Sequence, residues 1–207
     1  MITLTPITDP TKLEEYFRFR YRIYSESRQI GFVATNGDGR DVVAFDERAL
    51  HFGWYMNDTL AGCIRFIGPD DSATPIPMMV LAPDEQVRKA VRGYIDERRR
   101  RGENMVEASR FCLAPQYRGL GTAREFVLAM LRSMEPYGVE HGLFDCHERH
   151  ALFYRRMGFD VLAGAERWNV PFLGYPTTAL VYDLKRMIGR EPRLFQPTVA
   201  EHSRRAA

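Results

Sequence analysis

The seven residues Pro115-Gln116-Tyr117-Arg118-Gly119-Leu120-Gly121 constrain the fold of this chain more than any other stretch. They stand between an apolar run from Met105 to Leu113, which reads as a strand, and a segment from Gly121 to about Met134. That segment sets Phe126, Met130 and Leu131 on one helical side. Two glycines let backbone N–H groups turn inward, and the following helix adds the positive end of its dipole, so the turn is an anion cradle. It is not a P-loop, because no Lys-Ser/Thr follows the second glycine, nor a dinucleotide fingerprint, because the third glycine is missing. Glycines also end strands for purely structural reasons, and the spacing by itself leaves both readings open.

The alternation continues on both sides of this turn. Gly142 to Cys146 reads as a strand, Glu148 to Met157 as a helix, and Phe159 to Leu162 and Thr178 to Leu184 as strands. Upstream, Ile2 to Leu4 reads as an edge strand, and Asp9-Pro10 as an N-cap followed by the first helical position. That first helix runs to about Tyr24, with Leu13, Phe17, Arg20 and Tyr24 on one face. An arginine within an apolar stripe either snorkels to the surface, the commoner fate, or needs a buried anionic partner. Leu50 to Met56 and Leu60 to Ile67, joined by Asn57-Asp58-Thr59, form a hairpin. A proline-rich connection (Pro69, Pro75, Pro77, Pro83) leads to a helix from Asp84 to about Arg101 with Val87, Val91, Tyr94 and Ile95 toward the core. Its end, Arg98 to Arg101 and then Gly102, suits a helix C-terminus. The pattern argues for an α/β (α+β) fold, a mixed sheet with helices on its faces, formed by one domain over residues 1–188. Residues 189–207 read as a loose polar tail.

Composition narrows the function. At 207 residues, 45% hydrophobic and 27% charged, the chain can bury one substantial core and is not a largely disordered one. No apolar run is long enough to span a bilayer and the N-terminus lacks a signal-peptide core, which points to the cytoplasm. Cys63, Cys112 and Cys146 are scattered, without the spacing of a disulfide framework or structural zinc site. A net charge of +2 argues against a polyelectrolyte binder. Lysine occurs only at Lys12, Lys89 and Lys185, so 26 of the 29 basic residues are arginine. A GC-rich genome produces that bias by itself, although arginine also grips carboxylates and phosphates bidentately.

Several residues carry chemistry. Glu107 and Ser109 alternate onto one face of a strand otherwise built of Val106, Phe111 and Leu113. Desolvation there raises a carboxyl pKa toward neutrality and suits a general base; neutralising a buried Arg20 or Arg65 is the equal structural alternative. Arg28 to Phe45 is a long, weakly patterned loop of the kind that contributes to binding sites. Asn36-Gly37-Asp38-Gly39 hints at a calcium loop, but Arg40 and Asp41 occupy its fifth and sixth positions, so calcium is rejected. Cys146 and His147 are adjacent on a strand, point to opposite faces and cannot pair as nucleophile and base. With His150 they leave a metal site without a fourth ligand, so no metal is expected.

The Gln116-x-x-Gly119-x-Gly121 spacing resembles the pyrophosphate loop of GNAT-type acyltransferases, which seats the phosphopantetheine arm of coenzyme A or an acyl carrier protein. The stretch His147 to Phe159 resembles that family's closing segment, with His147 where Asn is usual and His150 where Ala is usual. Glu107-Ala108-Ser109-Arg110 ahead of the loop resembles one branch, the acyl-homoserine-lactone (autoinducer) synthases and long-chain N-acyl amino acid synthases. Arg20 and Tyr24, Asp41 and Asp46, and Gly62-Cys63-Ile64-Arg65 match the same branch, so the similarity covers about Leu13 to Leu184. Ile30 stands where autoinducer synthases usually carry Trp, and Val43 where they carry the middle acid, which favours the amino acid synthases.

This resemblance implies a GNAT-like, mostly antiparallel twisted sheet with helices on both faces, and acyl transfer from a thioester to the α-amine of an amino acid. Leu113, Gln116, Tyr117, Arg118, Gly119, Leu120, Gly121 and Thr122 would hold the donor. Glu107 would take the amine proton and Tyr154 would protonate the leaving thiolate, Tyr154 being equally a half-buried helix aromatic. Arg20, Tyr24, Asp46, Arg65, Ser109 and Arg110 would form the acceptor side, one arginine gripping its carboxylate. Acyl carrier protein or coenzyme A thioester would be a co-substrate, with no tightly bound cofactor. Arg98, Arg99, Arg100 and Arg101 offer a basic face for an acidic carrier protein, or a solvated helix end. Nucleic acid is not expected, because no exposed aromatics interleave with these arginines. The rivals are an autoinducer synthase, an acetyl-CoA-dependent N-acetyltransferase and a non-catalytic acyl-CoA sensor.

Overall fold

The computed structural model describes residues 2–26, 37–68, 75–82, 84–170 and 174–190. Among these residues eight strands form one sheet: β1 (Thr5–Pro6), β2 (Leu50–Met56), β3 (Thr59–Ile67), β4 (Met105–Leu113), β5 (His141–His147), β6 (Asp160–Val161), β7 (Trp168–Asn169) and β8 (Pro176–Asp183). Their order is β1-β2-β3-β4-β5-β8-β6, with β7 also on β8, and only β4 and β5 are parallel. This is the expected mixed, mostly antiparallel sheet.

Strand alternation sorts the helices. Cys63, Ile67, Met105, Leu143 and Ala179 face α1 (Pro10–Ser25), α2 (Pro77–Leu81) and α3 (Glu85–Arg100). Ile64, Phe66, Val106, Phe144 and Tyr182 face α4 (Leu120–Met134), α5 (Glu148–Met157) and α6 (Leu184–Arg190). Helix α1 begins as expected, with the Asp9 carboxylate accepting from Lys12 N at 3.0 Å. Its buried face is Tyr16, Phe19, Arg20, Ile23 and Tyr24, a wider stripe than expected, with Leu13 and Phe17 at the margin. The β2–β3 hairpin turns on Asn57 and Asp58, whose φ of 48° and 59° are the two left-handed positions of a type I′ turn. On β5, Gly142 lies opposite Tyr182, and a Cβ there would come within 2.0 Å of the tyrosine ring.

Some elements differ from expectation. The edge strand is Thr5–Pro6, while Ile2 and Leu4 are buried core residues. The proline-rich connection contains α2, a five-residue helix with Pro77 in its first turn. The last helix extends through Gly189 and Arg190; Ile30, Asn36 and 191–207 lie outside the described residues. No helix among the described residues is long and apolar enough to cross a membrane.

Candidate active site

Strands β4 and β5 pair over three registers only, Met105↔His141, Val106↔Gly142 and Glu107↔Leu143. Beyond Glu107 and Leu143, β4 continues to Leu113 and β5 to His147 without pairing to each other. The result is a wedge whose apex is Glu107 and whose open end meets the Pro115–Tyr117 turn and α4.

Glu107 is 1% exposed, and its Oε2 accepts from the Met78 N–H of α2 at 3.1 Å. Burial pushes its pKa up to about 8, opposed by the Met78 hydrogen bond and reinforced by the charge of Asp145. The alternative of neutralising a buried arginine is not what Glu107 does. Arg20 is fully buried rather than snorkelled, and two aspartates answer it: Nε donates to Asp41 Oδ2 at 2.8 Å and Nη1 to Asp46 Oδ1 at 2.8 Å. Arg65 donates to Asp46 Oδ1 at 2.9 Å and to Ser109 Oγ at 3.1 Å. Arg110 lies 3.0 Å from Asp41 Oδ2 and over the Tyr24 ring. Desolvation alone would raise Asp46; Arg20 and Arg65 outweigh it and hold its carboxyl at about 2. Among the described residues three arginines, Arg20, Arg65 and Arg110, surround Asp41 and Asp46 beside the wedge.

A bulge places Arg110 there. Between the pairs Cys63↔Cys112 and Arg65↔Ser109, the single residue Ile64 stands opposite both Arg110 and Phe111. Arg110 adopts φ 58°, an unusual left-handed conformation for a non-glycine. Ser109 and Arg110 therefore share the α1 face, while Phe111 turns to the other side and stacks on Phe126 at 4.6 Å.

The loop has the form of a ligand cradle. Gly119 precedes α4 with an extended φ of 167° and no side-chain cap, leaving the N–H groups of the first turn without a capping side chain. A Cβ at Gly119 or Gly121 would meet nothing within 4 Å, and neither has the left-handed φ that demands glycine. Packing and backbone conformation thus do not require glycine at either position. Gln116, Arg118 and Leu120 are exposed, Tyr117 and Thr122 half-buried, and the Arg118 Nε ties the loop to the buried strand end by donating to Leu113 O at 3.1 Å. Tyr154 is 9% exposed on the opposite, α4–α6 side, against Phe144 and Phe159. Burial, then Cys146, raises its phenol pKa, so the hydroxyl keeps its proton. His147 caps α5 by accepting from Arg149 N and stacks on Tyr175, while Cys146 packs toward the other face.

The sequence matches the family model described as N-acyl amino acid synthase FeeM over residues 15–183. The chain belongs to the FeeM family. It is an N-acyltransferase of the N-acyl amino acid synthase type, with a GNAT-like fold. No curated protein matches the sequence significantly. Among solved structures, that of FeeM itself, from uncultured soil microbes, is 16% identical with a TM-score of 0.66, covering 91% of this chain and 94% of that one. MesI, a CoA-dependent acyl-homoserine lactone synthase, is 19% identical with a TM-score of 0.66, covering 96% of each chain. An N-acetyltransferase from Staphylococcus aureus Mu50 is 14% identical with a TM-score of 0.51, covering 89% of this chain and 99% of that one.

In this FeeM-family chain the structure gathers Arg20, Tyr24, Asp46, Arg65, Ser109 and Arg110 beside Glu107, and sets Tyr154 on the far face of the sheet. Arg98 and Arg101 lie elsewhere, engaged by Glu103 and Glu97. Sequence reasoning missed Asp145, which shares the face of Leu143 and Glu107; a carboxylate two residues along an apolar strand was the available signal.

Proposed function

We propose that this acyltransferase joins an acyl group, carried as a pantetheine thioester, to the α-amine of an amino acid. The observation that carries this reading is the wedge itself, with a buried carboxyl at its apex, a glycine cradle at its mouth and the partly exposed Arg110 on its flank. The turn from Gln116 to Gly121 and the first residues of α4 bind the pantetheine arm, with Leu113 and its strand beside the thioester. Glu107, through a water, serves as a base for the amine. Arg110 binds the acceptor carboxylate, since it keeps some exposure while Arg20 has none and Arg65 has 2%. Arg20 and Asp46 then act by holding Arg65 and Arg110 in place, and Tyr24 supports Arg110 from α1. Tyr154 passes a proton to the departing thiolate from the other face.

The donor belongs to this reading as either an acyl carrier protein or coenzyme A thioester. A carrier protein would meet the exposed Arg100 first, because Arg98 and Arg101 are engaged by Glu103 and Glu97 and Arg99 by Asp96. Expression in a bacterial host with mass spectrometry of the extract tests the activity. Long-chain N-acyl amino acids are expected; lactones, short-chain products or an unchanged extract would each refute this substrate assignment. Glu107→Gln keeps an acceptor for the Met78 N–H and should lower turnover at least about 100-fold with the fold intact. Wild-type turnover in that variant removes Glu107 from the mechanism.

A further inference from the structure

We propose that Asp145 is a second catalytic carboxylate, the group that takes the first proton from the acceptor ammonium. This rests on the acyl-transfer reading above and adds to it a residue outside the set matched by the family resemblance.

The argument is first one of position. Glu107 pairs with Leu143 at the last β4–β5 register, so Asp145 lies two residues farther along β5, on the same face and in the unpaired stretch bordering the wedge. Glu107 is closed in at the apex and already accepts the Met78 N–H, whereas Asp145 is half-buried toward the open end. Asp145 also makes no hydrogen bond or ion pair to another side chain among the described residues, bonding only to its own backbone. A partly buried carboxylate without a side-chain partner costs stability and calls for a function.

The electrostatics agree with the position. Burial pushes Asp145 up to about 6, against its own backbone hydrogen bond and the charge of Arg110. Burial first, with the charge of an ionised Asp145 as a lesser contribution, pushes Glu107 to about 8. Between those values the pair holds a single proton, on Glu107, and Asp145 is the ionised member. The charged groups around the pair are Arg110 from β4 and Arg65 from β3; β8 places Ala179 opposite Asp145, and Cys146 and His147 follow it on its own strand.

The protons balance. An ammonium nitrogen sheds two protons in becoming an amide. One N–H bond breaks to Asp145 before attack, and that proton later leaves to water. The nitrogen lone pair then forms the C–N bond and the C–S bond breaks; the second N–H proton passes through water to Glu107 as Glu107 releases the proton it held toward the leaving sulfur, which departs as a thiol.

The test uses the full chain with the acyl thioester and amino acid that wild type converts. Asp145→Asn should lower kcat/KM at pH 7 at least about 30-fold, with thioester binding and melting temperature close to wild type. Wild-type kcat/KM should climb as pH passes through about 6, and the variant should lose that limb. Asp145→Glu, which restores a carboxylate, should recover much of the rate. Wild-type kcat/KM in Asp145→Asn, or an unchanged acid limb, overturns the proposal while leaving the acyl-transfer reading intact. Equal loss in Asp145→Asn and Asp145→Glu also overturns it, by showing a purely packing role. If wild type forms no N-acyl amino acid with any thioester, both fall together.

Discussion

Replacing Asp46 by asparagine removes one of the two anions that hold Arg20, Arg65 and Arg110 together. Two independent magnitudes bear on the cost. Holding the Asp46 carboxyl at about 2 rather than its ordinary 3.8 corresponds to roughly 2.5 kcal/mol at neutral pH. Breaking a buried ion pair from one side costs about 3–5 kcal/mol, because the partner charge stays buried. The Asp46 side chain is 2% exposed, so solvent screens little of this. About 3 kcal/mol lowers the melting temperature by roughly 6–12 °C for a chain of this size. The sign with pH follows from the depressed value. The stabilisation is full above the unfolded value near 4 and is lost as pH falls through about 2. The stability gap between wild type and Asp46→Asn, measured by denaturant unfolding, should therefore shrink by about 1 kcal/mol between pH 5 and pH 3. A melting temperature within 2 °C of wild type at pH 7, or a gap that does not change with pH, would refute this account of the cluster.

The remaining expectations concern the apex and the cradle. Glu107 has a raised pKa, so the folded state is favoured fully below about 4.5 and progressively penalised as pH rises through about 8. Glu107→Gln should thus gain stability relative to wild type on going from pH 5 to pH 7.5, by about 3 kcal/mol or roughly 6–12 °C in a melt; a pH-independent difference contradicts the buried-acid assignment. Gly121→Ala meets open space inside a helix, so it should melt at or slightly above wild type, by up to about 1 kcal/mol of added stability. The same variant should raise KM for the acyl thioester at least about tenfold if the extra methyl group occupies ligand space, and unchanged KM would return Gly121 to a structural role.

The locally encoded parts of the molecule were legible in the sequence. Asp9-Pro10 starts α1, Asp84 caps α3 on Val87 N, and α5 runs over the expected Glu148–Met157, because caps and helical periodicity act within a turn or two. The glycine turn also declared its position between β4 and α4. Helix α2 was hidden because five residues with a proline carry no periodicity and are held by packing and by Glu107. The partners of Arg20 lie 21 and 26 residues away, so no local rule could choose between snorkelling and burial. The wedge depends on where a non-local parallel pairing stops, and Asp145 acquires its setting from that stop.

The bulge at Arg110 gives β4 two reading phases. Before it, odd-numbered residues Met105, Glu107 and Ser109 face α1–α3; after it, Arg110 and Cys112 do, and Phe111 and Leu113 join the core under α4. One strand thereby delivers a carboxyl and a cation to one side and two large apolar groups to the other. Substitutions leave that phase intact, but deleting a single residue between 109 and 111 would regularise the ladder and transpose everything on one side of it. The same loss from a surface loop would disturb only the loop. In this strand the number of residues sets which side chains reach each face, as much as their identity does.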